Sequence, residues 1–536
     1  MIHIGKQLWK KTITEDMVEK QISEKVIIQT YPHLAKNIYE CFANSAKRLP
    51  NKEAVVDNWG RAYSYGDLYL KVQQFSTWLY GSMNVRKGQH VALMLFNSVE
   101  FCVAFLALNR IGAVVVLLPT KYRKEEIGSL TEKADITLVI CDEKFENYFE
   151  SNKATGIRVC KIPSGENEYA LSKFILSDEF LEMNEEEETT PSDMALLMFT
   201  SGTTSQSKGV TITNYNIMHA IVSYQRTLDI QEDERAIIPI PMYLITGLVA
   251  IFGLMMHVGG TVYLNKFFDA ERVLNDVKKY QITFLHAAPT VFTLLLSKKN
   301  EFQELPSLRI FACGGGNMPP GKIRMIHEWL PQCDFRTVYG LTETTSPGTI
   351  FPMDVNKSEF IGSSGIPIPG LSFKIVDEEG NELPNGREGR ILVKGSNITE
   401  AYYNLWSPSL QDGWLDTGDI GYFNSESYLY IVDRKKDMIN RGGEKICSYD
   451  VENELSYIRG IRDAAVVGIP DELYGEVPVA VVELQNGSKI TEKEIRDILG
   501  QRIAKYKVPV KIIAVDKIPL TENSKTDKKK IRQLFC

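Results

Sequence analysis

Thirty consecutive residues, Ala236 to Asn265, carry no Asp, Glu, Lys or Arg. A run that long could cross a bilayer as one helix. This one is punctuated by Pro239, Pro241, Gly247, Gly253 and the pair Gly259-Gly260. Proline and glycine break a continuous helix into shorter pieces. The stretch therefore reads as buried loop, helix and strand inside a globular chain. The N-terminus has no apolar core of signal-peptide length. At 536 residues the chain exceeds one ordinary core, so two or more domains are expected.

Charge and cysteine usage remove several function classes. The chain has 61 basic and 68 acidic residues, a net charge of −7 that does not suggest a nucleic-acid binder. Its eight cysteines are widely spaced, the nearest pair being Cys141 and Cys160, and no CxxC is present. Neither a zinc site nor a disulfide framework is suggested, and a cytoplasmic location is expected.

Residues 30–180 alternate helical patterns such as "KVQQFSTWLYGSM" with short apolar runs such as "HVALMLF" and "ITLVICD". That alternation argues for an α/β domain with helix-covered parallel strands. An acidic segment including Glu185 to Glu188 and then Pro191 reads as an exposed connection. Farther on, "LSFKIVDEEGNELPNGREGRILVKG" alternates apolar and polar residues around Gly/Asn turns. Residues 360–433 therefore read as an antiparallel, barrel-like part. A final α+β unit of about 100 residues follows, with strands expected in "AAVVGI", "PVAVVEL" and "KIIAVDKI". The expected division is 1–433 and 434–536.

Between the strand-like runs "ALLMF" and "VTIT" lies "TSGTTSQSKG", whose hydroxyls, glycines and single lysine suit an anion. A solvated Ser/Thr loop is the plain alternative. A Walker A loop fails here. Counted from Gly202, position 207 is Ser where Gly is needed, and position 209 is Gly where Ser or Thr is needed. A strand also follows where a helix should open. The stretch "FTSGTTSQSKGV" instead resembles the signature of the adenylate-forming superfamily, [YF]-T-S-G-T-T-G-x-P-K-G-V, with Ser205 and Ser207 departing from it. Three further motifs match in order: "VYGLTETT", "DGWLDTGDIG" with "IVDRKKD", and "PLTENSKTDKKKI". The resemblance spans about residues 35–535 and is to the acyl-CoA synthetase type.

That resemblance implies the following. Thr200, Ser201, Gly202, Thr203, Thr204 and Lys208 hold the outer phosphates of ATP. Tyr339 and Gly340, with Gly315 and Gly316, border adenine. Thr342 meets the α-phosphate and Glu343 ligates Mg²⁺. Asp419 and Arg434 hold the ribose. Lys525 is the catalytic lysine, with Ser524 in place of the usual glycine. Lys436 is the hinge about which the last domain swings. Gly442 and Gly443 border the pantetheine of CoA. Tyr243, Leu244, Gly247 and Gly314 belong to the acyl pocket. Leu244 stands where many members have histidine, and "MYLITG" offers no aspartate for an amino acid's ammonium. An unaminated carboxylic acid is therefore expected, because an unpaired buried ammonium is costly.

The implied reaction couples a small carboxylic acid and MgATP to acyl-AMP and pyrophosphate, then passes the acyl group to CoA. A separate phosphopantetheinyl carrier protein is the alternative acceptor. A luciferase-like oxygenase and a non-catalytic nucleotide-binding relative are more distant alternatives. From Lys505 to Arg532 there are nine basic and three acidic residues, which suits a lobe closing over phosphates.

Overall fold

A computed structural model describes residues 1–23, 26–150, 156–163, 188–200, 207–521 and 525–535. The chain folds as an α/β protein with a separate C-terminal domain. Two large sheets dominate. One has six strands in the order 208–213, 194–200, 114–117, 90–94, 136–142 and 158–162. The other has nine: 366–367, 349–350, 334–339, 310–314, 284–287, 235–238, 261–264, 53–56 and 62–64. Their central strands are parallel; both edges of the nine-stranded sheet and the 194–213 edge of the six-stranded sheet are antiparallel, while strand 158–162 joins its neighbour in parallel.

Helices fill the space around these sheets. Val99–Ile111 is buried at every position but Arg110, as expected of a helix apolar on all sides. Ser98 caps its start by accepting from Phe101 N, and Gly112, at φ 79°, ends it. The helix Asn214–Leu228 begins at a capping box between Thr213 and Asn216. Its inward face, Ile217, Ile221, Tyr224 and Leu228, has at most 1% exposure.

The charge-free stretch is broken as its punctuation demands. It supplies the end of strand Arg235–Ile238, a π-helical run Thr246–Gly253, the short helix Leu254–Val258 and strand Thr261–Leu264. Among the described residues no helix is long and apolar enough to cross a membrane. The seven described cysteines are all buried.

Residues 371–434 form an antiparallel sheet whose edge strand is Ile2–Ile4 from the N-terminus. Its last strand, Leu429–Arg434, pairs with Trp414–Phe423. A turn follows, and Ile439–Arg441 opens a five-stranded sheet completed by 444–446, 461–471, 475–484 and 511–515. The two apolar clusters of this last unit draw only on residues from 439 onward. Its contacts with the larger part include the Tyr457 ring packed on Gly321 and several polar pairs. Lys322 Nζ lies 2.8 Å from Asp463 Oδ1, and Ser448 donates from both N and Oγ to Asp433 Oδ2 at 2.7 Å.

Candidate active site

The site lies at the C-terminal ends of the parallel strands Ile310–Gly314 and Asp334–Tyr339, where loops leave a sheet and backbone groups are open to a ligand. A cavity there is lined by Gly315, Gly316, Tyr339, Gly340, Asp419, Arg434 and Lys525. Gly315 has φ 81°, a turn that favours glycine. Asp419 and Arg434 are 15 positions apart but face each other across the rung of one hairpin. Asp419 Oδ2 accepts from the Tyr339 hydroxyl at 2.7 Å, and Oδ1 lies 3.4 Å from Arg434 Nε. Burial pushes the Asp419 carboxyl up, against the pull of Arg434 and the Tyr339 hydrogen bond. Burial also pushes the Tyr339 hydroxyl well up, with the Asp419 charge adding to it. A carboxylate so placed keeps acceptor capacity for two neighbouring hydroxyls.

Lys525 reaches this cavity from the C-terminal domain. Its backbone pairs with Thr521: Thr521 N donates to Lys525 O at 2.7 Å, and Lys525 N donates to Thr521 Oγ1 at 3.2 Å. The residue as a whole is open to solvent, whereas its side chain lines the cavity and feels the protein's charges there. Desolvation and the Arg434 guanidinium, with Lys436 adding a little, lower its pKa to about 8, opposed by Asp419 and Glu343.

The outer end of the site is set by strands Met194–Thr200 and Lys208–Thr213, whose rung Thr200–Lys208 closes the loop between them. Ser201, Gly202, Thr203 and Thr204 lie outside the described residues. Lys208 Nζ sits 4.9 Å from the centre of the Tyr402 ring and 3.2 Å from Ser407 Oγ. The Tyr402 hydroxyl in turn donates to Glu343 Oε1 at 3.3 Å. Tyr402 thus stands between the cation and the carboxylate. Glu343 and Thr342 belong to the short 3₁₀ turn Thr342–Thr344. Asn397 holds the segment by donating to Thr344 O and Pro347 O, both at 2.7 Å. Among the described residues no three His, Cys, Asp or Glu side chains gather into a metal cage. A lone carboxylate such as Glu343 fits Mg²⁺ that arrives on phosphates and keeps most of its waters.

The four residues expected around the acyl group are not gathered into one pocket. Tyr243 lines a second, mostly apolar cavity of about 340 Å³ with Phe96, Pro241, Lys266, Phe267 and Leu520. Leu244 is half-buried and lines neither cavity; its carbonyl accepts from Leu248 N at the start of the π-helical run. Gly247 lets that run pack on the preceding loop, since a Cβ there would lie 2.7 Å from Pro241 O. Gly314 faces Val338 and His286.

The family model described as "AMP-binding enzyme" matches residues 42–403, and that of the "AMP-binding enzyme C-terminal domain" matches residues 450–525. The chain belongs to the AMP-binding enzyme family. It is an AMP-forming acid–thiol ligase of the acyl-CoA synthetase type. A feruloyl-CoA synthase from an Amycolatopsis species is 31% identical over 91% of this chain and 97% of its own. The o-succinylbenzoate CoA synthetase of Bacillus subtilis, solved with its acyl-adenylate intermediate, is 29% identical with a TM-score of 0.81, covering 93% of this chain and 98% of its own. The same enzyme solved with ATP and magnesium ion matches at a TM-score of 0.80 and 29% identity, over 92% and 99% of the two chains.

Within this AMP-binding fold, Gly442 and Gly443 form the exposed two-residue turn of the hairpin 439–446 and line neither cavity. Gly442 N donates to Tyr474 O at 2.7 Å. Lys436 lies exposed in the turn between the two sheets. Sequence reasoning passed over Tyr402, Tyr449 and Asn317. Tyr449 and Asn317 line the cavity that holds Asp419 and Arg434; Asn317 directly follows the glycine run 314–316, whereas nothing in the local pattern of Tyr449 separates it from an ordinary core position.

Proposed function

We propose that the cavity binds MgATP with adenine against Gly315, Gly316 and Tyr339, and ribose on Asp419 and Arg434. The phosphates then run toward Glu343, Thr342, Lys208 and the loop 200–204. A carboxylic acid enters at the Glu343 end and attacks the α-phosphate in line. Such a displacement asks the protein for alignment and charge neutralisation. Thr342 and Lys525 are placed to meet the α-phosphate, and Lys208 the leaving pyrophosphate. Mg²⁺, held through Glu343, supplies further neutralisation when bound.

The observation that carries this reading is that Lys525, from the last dozen residues, lines one cavity with Asp419, Arg434 and Gly315. Electrostatic stabilisers preorganised in one site from two domains suit a reaction that needs them only for part of its cycle. The division is 1–433 and 434–536, with Lys436 in the joint. After adenylation the C-terminal domain turns, Lys525 withdraws, and the Gly442–Gly443 turn comes in beside the pantetheine of CoA. A separate phosphopantetheinyl carrier protein is the alternative acceptor. The acid is unaminated: no aspartate lies in the stretch 242–247, and the relatives above are named for feruloyl and succinylbenzoyl groups.

The test is pyrophosphate release over a panel of carboxylic acids, repeated with CoA and with a phosphopantetheinylated carrier, with mass detection of thioesters. AMP, pyrophosphate and an acyl-CoA are expected only when a suitable acid is present. Formation of ADP would overturn the reading. Thioester on the carrier but none on CoA would overturn CoA as acceptor.

A further inference from the structure

His286 is 1% exposed, and neither ring nitrogen has a hydrogen-bond partner. The other enclosed histidines are different. His3, His90, His219 and His257 each have a partner on at least one nitrogen. An unpaired buried polar group costs stability unless a ligand completes it.

The position of His286 says which ligand. It lies on strand Phe284–Ala287, paired in register with Ala312, so its side chain shares a face with Gly314 two residues on. Its Nε2 is 3.3 Å from where a Gly314 Cβ would be, so any side chain at 314 would crowd the ring, and glycine keeps that strand end, next to the cavity-lining Gly315, clear of one. The ring packs edge-on to Tyr224, centroids 5.6 Å apart, and the Tyr224 hydroxyl pairs with Ser346 Oγ at 2.8 Å. Thr345 Oγ1, next in the chain, is also buried without a partner. A line of polar groups thus runs from the Glu343 segment through Ser346 and Tyr224 to His286. Val338, which Gly314 also touches, lines the nucleotide cavity.

We propose that His286 is the specificity-determining residue for the acid: it hydrogen-bonds an uncharged oxygen function, a hydroxyl or carbonyl, carried on the acid's tail several bonds from the reacting carboxylate. This rests on the reading above that the carboxylate enters at the Glu343 end of the cavity. The uncharged class follows from the surroundings. Burial alone pushes the imidazole down to about 3, and no charged side chain acts on it. The ring is therefore neutral, and a second carboxylate there would be buried without a fixed cation. A site built to hydrogen-bond a substrate oxygen discriminates strongly against the analogue lacking it, because its own polar group is then left unpaired.

The test compares matched acid pairs, cinnamate with its para-hydroxy derivative and pentanoate with levulinate, in pyrophosphate release under saturating MgATP. Wild type, His286→Leu and His286→Gln are assayed, each checked for folding by circular dichroism and for ATP binding. Wild type is expected to favour the oxygenated member of at least one pair by about ten- to a hundred-fold in kcat/KM. His286→Leu should bring that ratio near one while holding or raising turnover of the deoxygenated acid, and His286→Gln should restore part of it. Brisk turnover with the same ratio in wild type and His286→Leu would overturn the role of His286 and leave the ligase reading standing. Pyrophosphate release with no acid at all, in a wild type that binds ATP, would overturn the placement of the acid on which this rests.

Discussion

At the scale of single residues, Lys525 carries the most testable chemistry. Lys525→Ala should slow acyl-AMP formation by about 10²–10³, the effect of losing one preorganised donor. Thioester formation from supplied acyl-AMP should be nearly unchanged; equal loss of both half-reactions would refute the role. The lowered pKa adds a pH signature. With a pKa of about 8, Lys525 is charged below that pH and neutral above it. Adenylation kcat/KM should therefore fall as pH rises through about 8. Lys525→Arg, charged throughout, should lose that alkaline limb whatever its absolute rate. Tyr402 offers a second case. Its hydroxyl bonds Glu343 Oε1 and its ring meets Lys208, so Tyr402→Phe removes the link to the carboxylate while keeping the ring on the cation. The expected outcome is about a three- to ten-fold rise in the Mg²⁺ concentration giving half-maximal adenylation, the scale of losing one modest hydrogen bond. Asp419, Arg434 and Lys525 were legible in the sequence because each sits in an ordered motif. Tyr402 and His286 were not: an isolated tyrosine, or a histidine inside "FLHAA", carries no periodic or spacing signal and reads as an ordinary packed residue.

Among the elements, the turn 342–347 depends on a side chain far from it in sequence. Asn397 is fully buried and satisfies two of its carbonyls. Asn397→Ala would leave both without that partner and should cost about 2–4 kcal/mol, at one to two kcal/mol for each orphaned group. Urea unfolding measures this, and adenylation should fall more than ten-fold with it because Thr342 and Glu343 lose their support. The strands were readable from alternation and from short apolar runs, and the helix Asn214–Leu228 from its 3.6-residue period. The π-helical run Thr246–Gly253 was not, because a wholly apolar segment has no polar face to mark its period. The acyl region was hard for a related reason. Tyr243 and Gly314 stand on separate elements, and only the tertiary fold decides what each one faces.

For the whole molecule, the arrangement described here is the one with Lys525 in the cavity, and identifiable contacts hold it. Lys322 Nζ bonds Asp463 Oδ1 at 2.8 Å, and Ser448 Oγ donates to Asp433 Oδ2 at 2.7 Å. The Lys322 side chain is 9% exposed and that of Asp463 30%, between the buried and surface cases, so the pair is worth about 1–2 kcal/mol. Lys322→Ala should shift the balance between domain arrangements by about five- to thirty-fold. Adenylation should slow, while conversion of supplied acyl-AMP to thioester stays level or quickens; half-reaction kinetics separate the two. Loss of both together would mean that Lys322 only supports the fold.

Asp419 and Arg434 oppose each other on the final rung before the chain crosses to the next sheet, and Lys435 N ties that crossing back to Gly418 O at 3.0 Å. The pair proposed to hold the ribose is thus tied through the backbone to the crossing between the two sheets. On the reading proposed above the joint turns while the acyl-AMP ribose still rests on this rung, so the strand end that would hold the sugar is also the fixed end from which the last unit would move.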